Sequence, residues 1–129
     1  MKSELERARL NETTGSVLAC AFKVGRSLGH GFLEKVYENA LAIELEEAGH
    51  SVAIQRAFDV TYRGRLVGQY CPDIIVDEVV LIEIKAIRAL DDPHLAQCMN
   101  YLRVTRLNLG LLLNFGMPKL EYRRVVWDF

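Results

Sequence analysis

Leu10, Thr14, Val17, Ala21, Val24 and Leu28 succeed one another at steps of three and four, the period of one helix face. Ser3-Glu4-Leu5-Glu6 just ahead reads as a capping box, Ser3 accepting from the third helical amide and Glu6 reaching back. Gly29-His30-Gly31 ends this first helix. A second is predicted from about Phe32 to Ala48, with Leu33, Val36, Tyr37, Ala40, Leu41 and Leu45 on its inner stripe and Gly49 as its stop. The period then shortens to two. Strand-like segments span about residues 52–62, 66–76 and 79–87, with turns at Gly64 and Asp77-Glu78. Asp91-Asp92-Pro93 caps a helix that runs to about Thr105. Leu109, Leu111, Leu112 and Leu113 make a short buried strand, and residues 122–127 a last one. The order α-α-β-β-β-α-β-β predicts an α/β chain, a mixed β-sheet flanked by helices.

Alternation also assigns faces. Over residues 79–86 the even positions are Val80, Ile82, Ile84 and Ala86, while the odd ones are Val79, Leu81, Glu83 and Lys85. In the preceding segment Tyr70, Pro72, Ile74 and Val76 are even, and Gln69, Cys71, Asp73 and Asp77 odd. Apolar faces must coincide, so even pairs with even, and Asp73 shares a face with Glu83. A two-residue turn at Asp77-Glu78 would pair Val76 with Val79 and separate the two acids. A three-residue turn or a bulge is therefore predicted.

That register concentrates charge inside apolar sequence. Glu83 and Lys85 project to one side about 6.5–7 Å apart along the strand. Asp73 stands roughly 5 Å from Glu83 if directly opposite. Two carboxylates so close raise one another's pKa unless a cation holds both ionised. Mg²⁺ takes one or two carboxylates and completes its shell with water and phosphate oxygens. Lys85 is then placed to orient an attacking water and offset charge growing on phosphorus oxygens. The plain alternative is an exposed Glu-Lys pair worth under about 1 kcal/mol.

Two further groups bear on the same chemistry. Gly31-Phe-Leu-Glu34-Lys-Val-Tyr37 opens the second helix, and Glu34 is expected to lean inward with Tyr37 and Leu41; a first-turn glutamate also suits the helix dipole. On the later helix Leu95, Met99 and Leu102 form the apolar stripe, and His94, Gln97 and Tyr101 a separate polar line. His94 reads as a capping or surface residue. Gln55 would border the pocket only if its strand pairs in matching register. Cys71 reads as a small strand residue. No glycine-rich phosphate loop, Ser/His/Asp set or zinc-ligand spacing is visible.

These motifs together resemble the PD-(D/E)xK nuclease superfamily, and within it the small GxxExxY proteins. Gly31, Glu34 and Tyr37 supply the GxxExxY pattern, Pro72-Asp73 and Glu83-Ile84-Lys85 the superfamily core. Gln97 and Tyr101 are similar to the QxxxY element of its exonuclease branch. The similarity covers the chain from the first helix to about Val125. His30 departs from it, standing where family members commonly have proline. The resemblance implies a restriction-endonuclease-like core, α-β-β-β-α-β, in one domain over residues 1–129. It implies Asp73, Glu83 and Glu34 as ligands of Mg²⁺ or Mn²⁺, Lys85 as catalytic lysine, and Gln97 and Tyr101 in support. The expected activity is hydrolysis of DNA phosphodiester bonds. The alternative is a non-catalytic module that keeps the fold and binds nucleic acid or a protein.

Composition trims this picture. The 129 residues suffice for one core, and the formal charge of −1 excludes a polycation that grips nucleic acid along its whole surface. Any nucleic-acid contact needs a local patch: Arg63 and Arg65, Arg103 and Arg106, or Lys119, Arg123 and Arg124. The charged start carries no signal core, and no apolar run reaches the roughly 18 residues of a membrane helix. Cys20, Cys71 and Cys98 suit reduced thiols in a cytoplasm. A homodimer is left open as a further partner.

Overall fold

The computed structural model describes residues 2–129. Its elements are α1 (Glu4–Leu28), α2 (Glu34–Glu47), β1 (Val52–Ile54), β2 (Phe58–Tyr62), β3 (Arg65–Tyr70), β4 (Ile74–Val76), β5 (Val80–Lys85), α3 (Asp92–Thr105), β6 (Leu109–Asn114) and β7 (Glu121–Val126). Five strands form one mixed sheet in the order β1-β4-β5-β6-β7, with β5 and β6 parallel and the other pairs antiparallel. One face packs on α1 and α2 through Ile74, Val80, Ile82, Leu109, Leu111 and Leu113. The other face packs on α3 through Leu81, Leu112, Cys98 and Leu102. Burial on both faces explains the continuous apolar run of β6, where alternation is absent.

Helix ends follow their predicted chemistry in part: α2 starts at Glu34 without a side-chain cap, and Glu6 pairs with Lys2 where a reach back to the cap of α1 was expected. Ser3 Oγ accepts from Glu6 N–H at 3.1 Å. Asp91 caps α3, and His94 Nδ1 accepts from Asp91 N–H at 3.2 Å, making His94 a capping residue. Gly110 lets α3 lie close on β6, since a Cβ there would meet Cys98 Sγ at 2.9 Å.

The first two expected strands each break in two. Gln55 adopts φ 54°, and its N–H donates to Asp73 O at 3.2 Å. Pro72 has no N–H to continue a ladder. Beyond these points β2 and β3 leave the main sheet as a separate two-stranded ribbon. A bulge interrupts the ribbon between Val60 and Thr61, and Arg63-Gly64, both at positive φ, close its turn. Cys71 consequently lies outside any strand and is exposed, not the strand residue expected.

Within the main sheet the register argument is met. Ile74 pairs with Ile82 and Val76 with Val80, so Asp77, Glu78 and Val79 form a three-residue turn. Asp77 and Glu78 sit at φ 53° and 59°, a region costly for non-glycine residues. Their side chains are tied down. Ser51 N–H donates to Asp77 Oδ1 at 2.8 Å, and Arg56 makes two hydrogen bonds to Glu78.

The inner stripe of α2 needs correcting. Leu33 is 82% exposed and Val36 39%. The buried residues are Tyr37, Glu38, Leu41, Ala42 and Leu45. Apolar residues on the outer face, Leu33, Val36 and Ile43, obscure the phase of the helix. Glu34 is exposed, and Glu38 takes the inward place one turn later.

Candidate active site

Departure of the ribbon creates the site. β4 begins at Ile74, opposite Ile82, so Glu83 to Lys85 keep β6 on one side and have no strand on the other. Asp73 fills the gap with its side chain. Ile84 N–H donates to Asp73 Oδ2 at 2.7 Å, and Asp73 N–H donates to Glu83 Oε2 at 3.1 Å. Each carboxylate is thus fixed by a backbone amide beside the other acid through one oxygen, leaving its second oxygen with at most a longer contact to a side chain. A cleft of about 260 Å³ opens here, lined by Glu34, Lys35, Glu38, Gln55, Asp73, Glu83, Ile84 and Lys85.

Its electrostatics are strained. Glu83 is 7% exposed; burial first, then the Asp73 charge, push its carboxyl up to about 7. Burial likewise raises Asp73, with Glu38 adding to the rise, while the Ile84 amide, Gln55 and Lys85 oppose it. Among the described residues Lys85 makes no ion pair within 4 Å. Its charge lowers both acids without cancelling their burial. The site has more negative charge than its own cations offset.

Glu38 is the acid that sequence reasoning missed. It is 3% exposed, bonded to Lys35 Nζ and to Gln55 Nε2 at 2.8 Å. Gln55 Nε2 also reaches Asp73 Oδ1 at 3.3 Å, which its opposition to Asp73 in the β1–β4 register allows. Glu34 lines the same cleft from the start of α2, and Ala86 N–H donates to its Oε1 at 3.3 Å. Gly31 at φ 115° and Tyr37 shape the entry to α2. The Tyr37 hydroxyl donates to Gly29 O at 2.7 Å and accepts from Phe32 N–H, and its ring stacks on Phe115 at 4.6 Å.

Behind Glu83 lies α3. Tyr101 stacks on Tyr70 with ring centroids 3.4 Å apart. Burial and the Glu83 charge raise the Tyr101 phenol, while Gln97 beside it pulls the other way. Gln97 itself is exposed. Tyr70, also missed, is pushed upward by burial and by Glu83, yet its buried hydroxyl makes no hydrogen bond of normal geometry. The phenol lies beside the Glu83 carboxyl, and its interaction with it holds that carboxyl lower than burial alone would.

The segment after Lys85 is held from below. Asn114 is wholly buried. Its Oδ1 accepts from Ile87 N–H and Gly116 N–H, and its Nδ2 donates to Ile87 O and to Glu121 Oε1. A Cβ on Gly116 would stand 2.3 Å from Ile87 N and O.

Do these residues fit a metal? Among the described residues no group of three or more His, Cys, Asp or Glu is arranged to hold an ion unaided. Two rigid carboxylates with spare oxygens and unrelieved repulsion nevertheless match the sparse protein shell of Mg²⁺.

A Ser/His/Asp set does assemble at the other end of β4, contrary to the reading of the sequence. His50 Nε2 lies 2.7 Å from Ser16 Oγ, and Nδ1 lies 2.7 Å from Asp77 Oδ2. Ser16 sits inside α1, where backbone amides are committed to helical carbonyls. No free amide pair is left to form an oxyanion hole, so the set acts as a clasp between α1 and the 77–79 turn.

Comparison with known proteins gives two findings. The family model described as PD-(D/E)XK nuclease superfamily matches residues 11–125. A solved structure, the crystal structure of SSO0001, superposes with a TM-score of 0.59 at 17% identity. That match covers 74% of this chain and 50% of the other, so the present chain spans about half the length of its structural neighbour. Comparison with curated proteins gives no match. No helix among the described residues is long and apolar enough to cross a membrane.

Proposed function

Because the chain belongs to the PD-(D/E)XK nuclease superfamily, we propose that it hydrolyses phosphodiester bonds of DNA in the Asp73–Glu83 cleft with the help of Mg²⁺ or Mn²⁺. The observation that carries this reading is the mutual lock of Asp73 and Glu83 across the open edge of β5. It holds two acids rigidly together at a cost that a cation would relieve. Asp73 and Glu83 would hold the ion. A bound divalent ion supplies charge stabilisation at the phosphorus oxygens when present.

The chain's own groups divide the remaining work. Lys85 leaves β5 on the side of Glu83 and lines the cleft, where its amine orients water and balances developing charge. Glu34 and Glu38 supply acid from α2, Glu38 through the Gln55 amide that also touches Asp73. Tyr101 and Gln97 back the site from α3. On this reading Gly31, Glu34 and Tyr37 are the pattern of the GxxExxY proteins, which supports membership of that group. The three free thiols suit a reducing compartment such as the cytoplasm.

The test incubates linear and circular DNA, single- and double-stranded, with Mg²⁺ or Mn²⁺. Cleavage by the wild type that falls at least about a hundredfold in Asp73→Ala and Lys85→Ala supports the proposal. Cleavage that survives both changes sinks it. Binding of DNA without any cleavage under either metal gives the fold to a non-catalytic module.

A further inference from the structure

The β2–β3 ribbon meets the rest of the chain at its base, where Tyr70 stacks on Tyr101 and β2 touches α3; its outer part has no work in the cleft. Every residue of β3 except Tyr70 is exposed. Tyr62 is 63% exposed, Leu66 60% and Val67 61%. A lone two-stranded ribbon is marginal in water, and apolar side chains displayed on one are poorly explained by solvation. Its turn is basic. Arg63 lies over the Tyr62 ring at 5.4 Å, and Arg65 follows the turn. Neither arginine takes part in an ion pair among the described residues. The ribbon's one acid, Asp59, is turned to Gln69 at 2.9 Å. In a chain of net charge −1, this is a local positive tip with an aromatic and two aliphatic residues beside it.

The position is as informative as the composition. The ribbon springs from Gln55 and Tyr70, directly beside Asp73, and five residues of strand reach about 17 Å. Laid along a strand at 3.4 Å per step, that reach corresponds to about five nucleotides.

We propose that the β2–β3 ribbon is a substrate guide that enters the major groove of duplex DNA, with Arg63 and Arg65 on phosphates and Tyr62, Leu66 and Val67 against the groove. The B-form major groove, about 12 Å wide, admits a two-stranded ribbon. The deep, narrow major groove of duplex RNA does not. The choice of nucleic acid as occupant rests on the nuclease reading together with the charge of the tip.

The experiment compares full-length wild type, the double variant Arg63→Glu/Arg65→Glu and Asp73→Ala. Binding to a short labelled DNA duplex is followed by fluorescence anisotropy in chelator across a salt series. Hydrolysis of a nitrophenyl phosphodiester with Mn²⁺ reports the cleft alone. The double variant is expected to melt like wild type and to hydrolyse the small diester at the wild-type rate. Its duplex affinity should fall at least about tenfold, with a salt slope shallower by about two. Asp73→Ala should show the reverse pattern, losing diester hydrolysis and keeping the duplex. Duplex binding that ignores the double substitution overturns the guide and leaves the nuclease reading standing. Absent diester hydrolysis, with ribbon-dependent duplex binding, sinks the nuclease reading and leaves the guide. Equal affinity for duplex RNA or single strands overturns groove entry. Self-association lost in the double variant, with duplex binding intact, assigns the ribbon to a second copy and overturns the proposal.

Discussion

At position 83 the chain buries a carboxylate to 7% exposure beside a second acid, and the cost is measurable. With its carboxyl pushed up to about 7 from an ordinary 4.5, the folded chain holds a proton that the unfolded chain releases. Stability in chelator therefore falls as pH rises from about 4.5 to about 7, by about 3 kcal/mol at most from this group. Glu83→Gln removes the ionisation and is expected to be more stable than wild type near pH 8, by about 2–3 kcal/mol. The gain should vanish below about pH 4.5, where both forms are neutral. Urea denaturation at the two ends of this range checks it; a gain independent of pH contradicts it. Glu38 behaves differently, because Lys35 and Gln55 satisfy it. Glu38→Ala strands the Gln55 amide near Asp73 and is expected to destabilise by about 1–3 kcal/mol. The same change at Glu34, which is exposed, should cost less than about 1 kcal/mol. Thermal or urea melts of the two variants decide which glutamate the fold depends on.

Elements are held in place by a few dense contacts. Gly116 packs its Cα against Ile87 with no room for a methyl group. Gly116→Ala must move the segment that follows Lys85, and is expected to cost about 3 kcal/mol or more while lowering cleavage through Lys85. The clasp at the other end of the sheet is independent of this. His50→Ala releases Ser16 and Asp77 and frees a turn at positive φ. A loss of about 1–3 kcal/mol is expected, with diester hydrolysis unchanged. Loss of hydrolysis in proportion to stability at Gly116 but not at His50 is the pattern to look for. The helices and the β4–β5 register were legible because periodicity and apolar faces dictate them. The broken strands were not. Alternation runs on through residues 52–62 and 66–76, and only the local conformation at Gln55, with Pro72 opposite, turns the ribbon away.

Over the whole molecule, a single structural event couples fold to site. The ribbon leaves, the edge of β5 opens, and Asp73, Glu83, Lys85 and the start of α2 surround the gap. A divalent ion that binds only this folded arrangement raises its melting temperature. At a hundred times its dissociation constant the gain is about 2.7 kcal/mol, several degrees for a domain of this size. Mn²⁺ should produce that shift in wild type and fail to do so in Asp73→Ala. An unchanged melting curve at saturating Mn²⁺ argues against metal binding at the cleft.

By itself the sequence determined the three helices and the strands from β5 onward, the shared face of Asp73 and Glu83, and the three-residue turn that permits it. These depend on periodicity and on neighbours along the chain, which the order of residues records directly. Only the tertiary structure decided that Glu38 turns inward while Glu34 stays exposed, that Tyr70 stacks on Tyr101, and that Ser16, His50 and Asp77 meet. Those outcomes depend on which helix face wins burial and where a ladder breaks, and competing residues far apart in the chain settle both.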